Sequence, residues 1–154
     1  MSLTNFIKRV GCVTPRATVV EAGQKMRSRS IGAVVVISDD HKPIGLVTDR
    51  DIVMRVVADN KAPNQISVEQ VMSGGVVTLP EEASLRQATE LMRDKGVRRV
   101  VVIDDSGRVS GLVSFDDLLV ILGMEIGNLA NSVISEISKE LLAEPVAPPA
   151  PQPG

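Results

Sequence analysis

Apolar and polar positions follow one order along the chain, and the order occurs twice. Val19, Ala22 and Met26 recur at steps of three and four, the spacing of one helix face, as do Leu85, Ala88 and Met92. Helices are therefore predicted from Thr18 to about Ser28 and from Ser84 to about Lys95. Thr18 and Ser84 are N-cap residues, and Glu21 and Gln87, three places on, complete capping boxes. Unbroken β-branched runs follow at Ala33–Ile37 and Val100–Ile103, the pattern of strands covered on both faces. The clusters SDDHKP and DDSGR then predict turns. Return strands are predicted at Ile44–Thr48 and Val109–Ser114, and helical segments at Asp49–Val57 and Phe115–Leu122. Short strands precede each block at Gly11–Thr14 and Val76–Leu79. Each block reads β-α-β-β-α.

The two blocks are copies. Shifted by 66 residues, Ala17–Val53 falls on Ala83–Leu119 without a gap, and 13 of 37 positions are identical. Two copies at so long a period suggest a closed pair with pseudo-twofold symmetry, not a solenoid. The fold class expected is mixed α/β (α+β), built from two β-α-β-β-α repeats.

Composition narrows the function classes. A chain of 154 residues can bury roughly two-thirds of its unfolded surface. Phe6 and Phe115 are its only aromatic residues, so the core must be aliphatic and base stacking along a strand has no support. The net charge of −2 gives no basic field for a nucleic-acid polymer. Cys12 and His41 are the only residues of their types, which excludes an internal disulfide and a Cys/His metal cluster. His41 lies in a predicted turn tip, unsuited to a Ser–His or Cys–His nucleophile. No catalytic base, nucleophile or metal site can be named. The first ten residues lack the apolar stretch of a signal peptide, and no run approaches the roughly 18 apolar residues of a membrane span. A cytoplasmic protein without a membrane partner is expected.

The copies share one phrase, GLVTDRD at Gly45–Asp51 and GLVSFDD at Gly111–Asp117. Glycine at the start of the return strand allows close approach by a ligand or a neighbouring strand. Thr48 and Ser114 stand where the next helix begins, beside free N–H groups and a positive dipole end that suit a phosphate. Asp51 and Asp117, in the first helical turn, can accept two hydrogen bonds from a ribose diol. The same residues also read as capping boxes kept for stability alone. The phrases differ inside: Arg50 is a ready phosphate partner, whereas Phe115 and Asp116 bring bulk and negative charge. Arg98 and Arg99 stand where the first copy has Gly32 and Ala33, and a guanidinium fork binds oxyanions bidentately.

The order of elements, the tandem pairing and the G-h-h-[ST]-x-x-D phrase resemble the cystathionine-beta-synthase (CBS) domain pair, or Bateman module, over roughly residues 10–124. The resemblance implies binding of an adenosine-containing ligand: AMP, ADP or ATP, with NAD and S-adenosylmethionine as further candidates. It places Thr48 or Ser114 towards phosphate and Asp51 or Asp117 on the ribose. Adenine would slot between strands against Val13, Ile31 and Ala33, or against Leu79, Val97 and Arg99. In paired folds of this kind the clefts face each other, so Arg98 and Arg99 could serve either one. A regulatory or sensory module, not an enzyme, is expected, with an adenine nucleotide as ligand and no required cofactor. The alternative is a structural or dimerisation protein with vestigial clefts.

The expected organisation is an N-terminal segment (1–9), repeat 1 (10–59), a linker (60–75) with one helical turn at Val68–Met72, and repeat 2 (76–124). A helical extension (125–144) and a proline-rich disordered tail (145–154) follow. Leu119, Leu122, Ile126, Leu129 and Val133 alternate steps of three and four, a seam pattern that Gly123 and Gly127 weaken. That stripe, with the apolar LLVIL run, implies packing against a second subunit. The resemblance likewise implies a homodimer through helices of both repeats.

Overall fold

Capping chemistry sets the start of each long helix. In the computed structural model, which describes residues 6–142, the Glu21 N–H donates to Thr18 Oγ1 at 3.2 Å. The Thr18 N–H donates back to Glu21 Oε2 at 2.6 Å. Ser84 and Gln87 repeat the pair at 3.2 and 2.8 Å. Helix α1 (Val19–Arg29) follows the first box and α3 (Leu85–Lys95) the second. Both end in the left-handed conformation, α3 at Gly96 and α1 at Ser30. A glycine adopts that conformation at no Cβ penalty.

Each helix packs beside a three-stranded sheet. β1 (Gly11–Val13) pairs parallel to β2 (Ala33–Ile37), which pairs antiparallel to β3 (Pro43–Thr48). β4 (Thr78–Pro80), β5 (Arg99–Ile103) and β6 (Val109–Ser114) repeat the arrangement. The 66-residue offset carries through the register: Ala33 opposes Thr48 as Arg99 opposes Ser114. The irregularity between Val36 and Ile37 recurs between Val102 and Ile103. The central strands β2 and β5 are buried along Ala33–Val36 and Val100–Val102, as their continuous apolar runs predict. The core is aliphatic, with Val34, Val36, Val47 and Val56 fully buried beneath Ala22 and Met26 of α1.

Several element bounds differ from expectation, β4 among them, which runs Thr78–Pro80 and not Val76–Leu79. α2 (Asp49–Ile52) is a single α-turn that widens into π-helical geometry over Val53–Val57, where the Ala58 N–H donates to the Val53 carbonyl five residues back. The widened turn buries Val56 while Val53, Met54 and Val57 stay exposed. A 3₁₀ turn occupies Val68–Gln70 of the linker. The last helix, α4 (Phe115–Leu142), passes through Gly123 and Gly127 without a break.

The described chain divides into two units after Leu118. The second holds the remainder of α4, whose Met124, Ile126, Leu129, Ile134 and Ile137 are exposed. Phe115–Lys139, with a mean hydropathy of 1.5, is long and apolar enough to cross a membrane by length and composition. This corrects the expectation that no stretch comes near that length. The high mean arises because serine and glycine offset the aliphatic residues only weakly, although Glu125, Asn128, Asn131 and Glu136 interrupt the stretch. The proline-rich tail expected at 145–154, and the first five residues of the N-terminal segment, lie outside the described residues.

Candidate ligand-binding clefts

The shared glycine of the two phrases accommodates a strand. At Gly45 an added Cβ would overlap Met72 Sδ, and at Gly111 it would overlap Ile7 and come 2.8 Å from the Lys8 carbonyl oxygen. Beside each glycine an extra length of chain lies along the return strand. Leu46 and Ser73 exchange two backbone hydrogen bonds at 3.0 and 2.9 Å, and Lys8 and Leu112 exchange two at 3.0 Å. Ile7 and Lys8 thus take in repeat 2 the places that Met72 and Ser73 take in repeat 1. Each repeat receives on β3 or β6 the segment that leads into the other repeat.

This crossing builds two related clefts of about 220 Å³ each. The first is lined by Leu46 of repeat 1, the segment Ser73–Val77, and Val97–Arg99 with Val101 of repeat 2. The second is lined by Leu112, Ser114, Asp116 and Asp117 of repeat 2, the segment Lys8–Val10, and Ser30–Ala33 of repeat 1. Arg99 lines both. In the second cleft the strand entry of one repeat therefore faces the hydroxyl–carboxylate junction of the other. The structure joins them across copies because the crossing segments bring the two halves face to face.

The junctions are capped internally. Thr48 Oγ1 and the Thr48 N–H both donate to Asp51 Oδ2, at 2.9 and 2.8 Å, and the Asp51 N–H donates to Thr48 Oγ1 at 3.1 Å. Ser114 Oγ donates to Asp117 Oδ2 at 2.6 Å, and the Asp117 N–H returns a bond to Ser114 Oγ at 3.2 Å. A cation holds the second oxygen in each case. Lys8 Nζ lies 2.6 Å from Asp117 Oδ1. Arg55 Nη2 lies 3.6 Å from Asp51 Oδ1 and donates to Ser73 Oγ at 3.4 Å, while its Nη1 donates to the Val71 carbonyl. Partial burial pushes the Asp117 carboxyl up. The hydrogen bonds from Lys8 and Ser114 and the charges of Lys8 and Arg99 outweigh it, so the group titrates below its ordinary value.

The remaining candidate residues fall in several places. Ile31 and Ala33 line the second cleft with Ser114 and Asp117. Val97, Arg98 and Arg99 line the first. Thr48 and Asp51 stand at the end of β3, beyond Leu46, and reach the first cleft's Ser73 only through Arg55. Arg50 is exposed and lines neither cleft, and the Arg98 guanidinium is paired with Asp116 at 2.5 Å. Val13 and Leu79 are buried in the cores of their repeats, and Val13 borders a separate depression beside Cys12. Among the described residues no group of His, Cys, Asp or Glu could hold a metal ion. Sequence reasoning missed Lys8, Arg9, Arg55 and Ser73. The repeated glycine was the available signal, since it requires a close neighbour without saying which segment supplies it.

Comparison with known proteins agrees with the fold. The CBS domain family matches residues 5–58 and 68–123. An uncharacterized protein of Methanopyrus kandleri is 40% identical over 106 residues, covering 69% of this chain; the chain spans about half (54%) of that relative's length. A CBS domain protein from Pyrobaculum aerophilum complexed with AMP superposes with a TM-score of 0.68 at 25% identity, over 77% of this chain and 90% of that one. A CBS domain pair in complex with 5′-methylthioadenosine and S-adenosyl-L-methionine superposes with a TM-score of 0.71 at 22% identity, over 81% and 98% of the two chains, and shows the shared fold.

Proposed function

The chain belongs to the CBS domain family, carrying two copies in tandem, and from that premise we propose that it is a regulatory module binding an adenosine-containing ligand between its repeats. The observation that carries the reading is the second cleft. There the backbone and aliphatic side chains of Ile31–Ala33 face Ser114, Asp117 and Arg99 across one opening. Such a cleft offers a slot for a purine, an acceptor for a ribose diol and cations for phosphate. The AMP complex of the Pyrobaculum aerophilum protein supports this ligand class. Thr48, Arg50 and Asp51 are assigned a secondary role, because Arg55 rather than open cleft meets Asp51. The module acts without catalysis, in the cytoplasm, as a homodimer through helices of both repeats.

A second reading has its own observation. Both hydroxyl–carboxylate pairs are satisfied as helix caps, so a structural protein with vestigial clefts would keep the same phrase. Thermal melting with AMP, ADP, ATP, NAD and S-adenosylmethionine separates the two. A ligand at 100 times its dissociation constant contributes about 2.7 kcal/mol, and a rise in Tm with at least one compound is expected. Flat melting across the panel at millimolar concentration would favour the structural reading.

A further inference from the structure

Resting on the ligand reading above, we propose that Lys8 is a selectivity latch of the second cleft: it blocks the ribose acceptor Asp117 until a ligand phosphate draws it away. The base of the latch is fixed by backbone alone, since the Lys8 N–H and carbonyl both bond to Leu112 at 3.0 Å. The side chain is free to swing: it is 63% exposed and runs through four methylenes to an ammonium group.

That ammonium lies 2.6 Å from Asp117 Oδ1, and Asp117 Oδ2 accepts from Ser114 Oγ. Each carboxylate oxygen keeps a second lone pair, but the ammonium lies against Oδ1 and neutralises the charge that a ribose diol would meet. Lys8, Arg9 and Arg99 line the same cleft against two carboxylates, Asp116 and Asp117, so an anion entering it meets an excess of positive charge. A phosphate offers Lys8 a replacement partner of equal kind, and the ion pair is exchanged rather than lost. An unphosphorylated nucleoside offers no such partner and must break the pair uncompensated. A cationic adenosyl compound meets like charge as well.

The first cleft also has a cation at its ribose acceptor, but Arg55 is tied down, since it donates to Ser73 Oγ and to the Val71 carbonyl as well. Ser73 holds the place of Lys8 along β3, and the Asp51 carboxylate is met by Arg55 from within its own repeat. Two clefts of one ancestry thus differ in how firmly the cation that guards the ribose acceptor is held. The selection for phosphate belongs to the second alone.

The test compares AMP with adenosine on the full chain and on Lys8→Met, following the Leu112 and Ser114 amides by NMR titration so that the second cleft is read directly. Lys8→Met leaves the backbone pairing with Leu112 in place, and an unchanged spectrum elsewhere verifies the fold. The wild type should prefer AMP. Lys8→Met should lose about tenfold or more of that preference, AMP weakening while adenosine holds or tightens. Lys8→Arg should restore most of it. A preference unchanged within about twofold in Lys8→Met, with wild-type binding intact, overturns the latch and leaves the ligand reading standing. Absence of binding by the wild type to both compounds overturns both.

Discussion

Replacing Gly111 by alanine places a methyl group where the Ile7–Lys8 segment runs, and the cost can be worked from the contacts. The new Cβ would overlap Ile7 and lie 2.8 Å from the Lys8 carbonyl oxygen, a backbone atom that cannot move by side-chain rotation. Relief requires the segment to shift, which stretches the two Lys8–Leu112 hydrogen bonds, each contributing about 0.5–1.5 kcal/mol. Overpacking of a tight contact costs about 1–3 kcal/mol by itself. The cost has a ceiling, because the segment can detach. Detachment would forfeit both bonds and the burial of Phe6, which is 2% exposed and contributes about 1.5–3 kcal/mol. A loss of about 2–4 kcal/mol is expected for Gly111→Ala. Gly45→Ala is the internal control. The three atoms nearest its Cβ all belong to the Met72 side chain; the flexible thioether can turn aside and Met72 Cβ, at 3.2 Å, needs a shift of only a few tenths of an ångström, so about 0–2 kcal/mol is expected. Urea unfolding of both variants reads the difference, and hydrogen exchange at Leu112 reports whether the segment has come away. Equal costs for the two alanines, or a larger cost at Gly45, would refute the crossing-segment account of the phrase.

Further expectations follow from the same contacts. Thr48→Ala removes the cap of α2 and should cost about 1 kcal/mol in urea unfolding, while Thr48→Ser should cost much less. The Asp117 carboxyl titrates below the ordinary value of about 3.9. A carboxylate depressed in the folded state contributes stability that is present above its unfolded value and lost as pH falls through its folded value. Unfolding free energy should therefore drop on acidification below about pH 4, and Asp117→Asn should flatten that part of the profile. Ile126→Glu puts a charge on an exposed apolar stripe of α4. If that stripe joins two copies, light scattering should show a dimer for the wild type and a monomer for the variant; a dimer in both would exclude this face.

The element pattern was legible because both copies obey the same local rules. Capping boxes at Thr18 and Ser84, valine runs in β2 and β5 and the turn clusters each determine their own segment without distant help. The π-helical widening at Val53–Val57 was not legible, since VMRVV has no feature that distinguishes it from an ordinary helical turn. The clefts were legible in their residues and not in their pairing. Ser114 and Asp117 belong with Ile31 and Ala33 only because Ile7 and Lys8 cross to β6, and a crossing is a long-range event that no window of sequence encodes. Lys8 lay outside the gapless repeat, and its counterpart Ser73 has a different chemistry, so self-comparison gave no reason to single it out. The hydropathy of α4 was underestimated because scattered small polar residues hide an apolar mean.

The central claim is that an adenosine-containing ligand sits between the repeats, and an amide-resolved NMR titration of the full chain with AMP tests it most directly. The account predicts saturable shifts at Gly32, Ala33, Leu112, Ser114 and Asp117, with little change along Met124–Leu142. Spectra that stay unchanged to millimolar AMP, or shifts confined to α4, would contradict it.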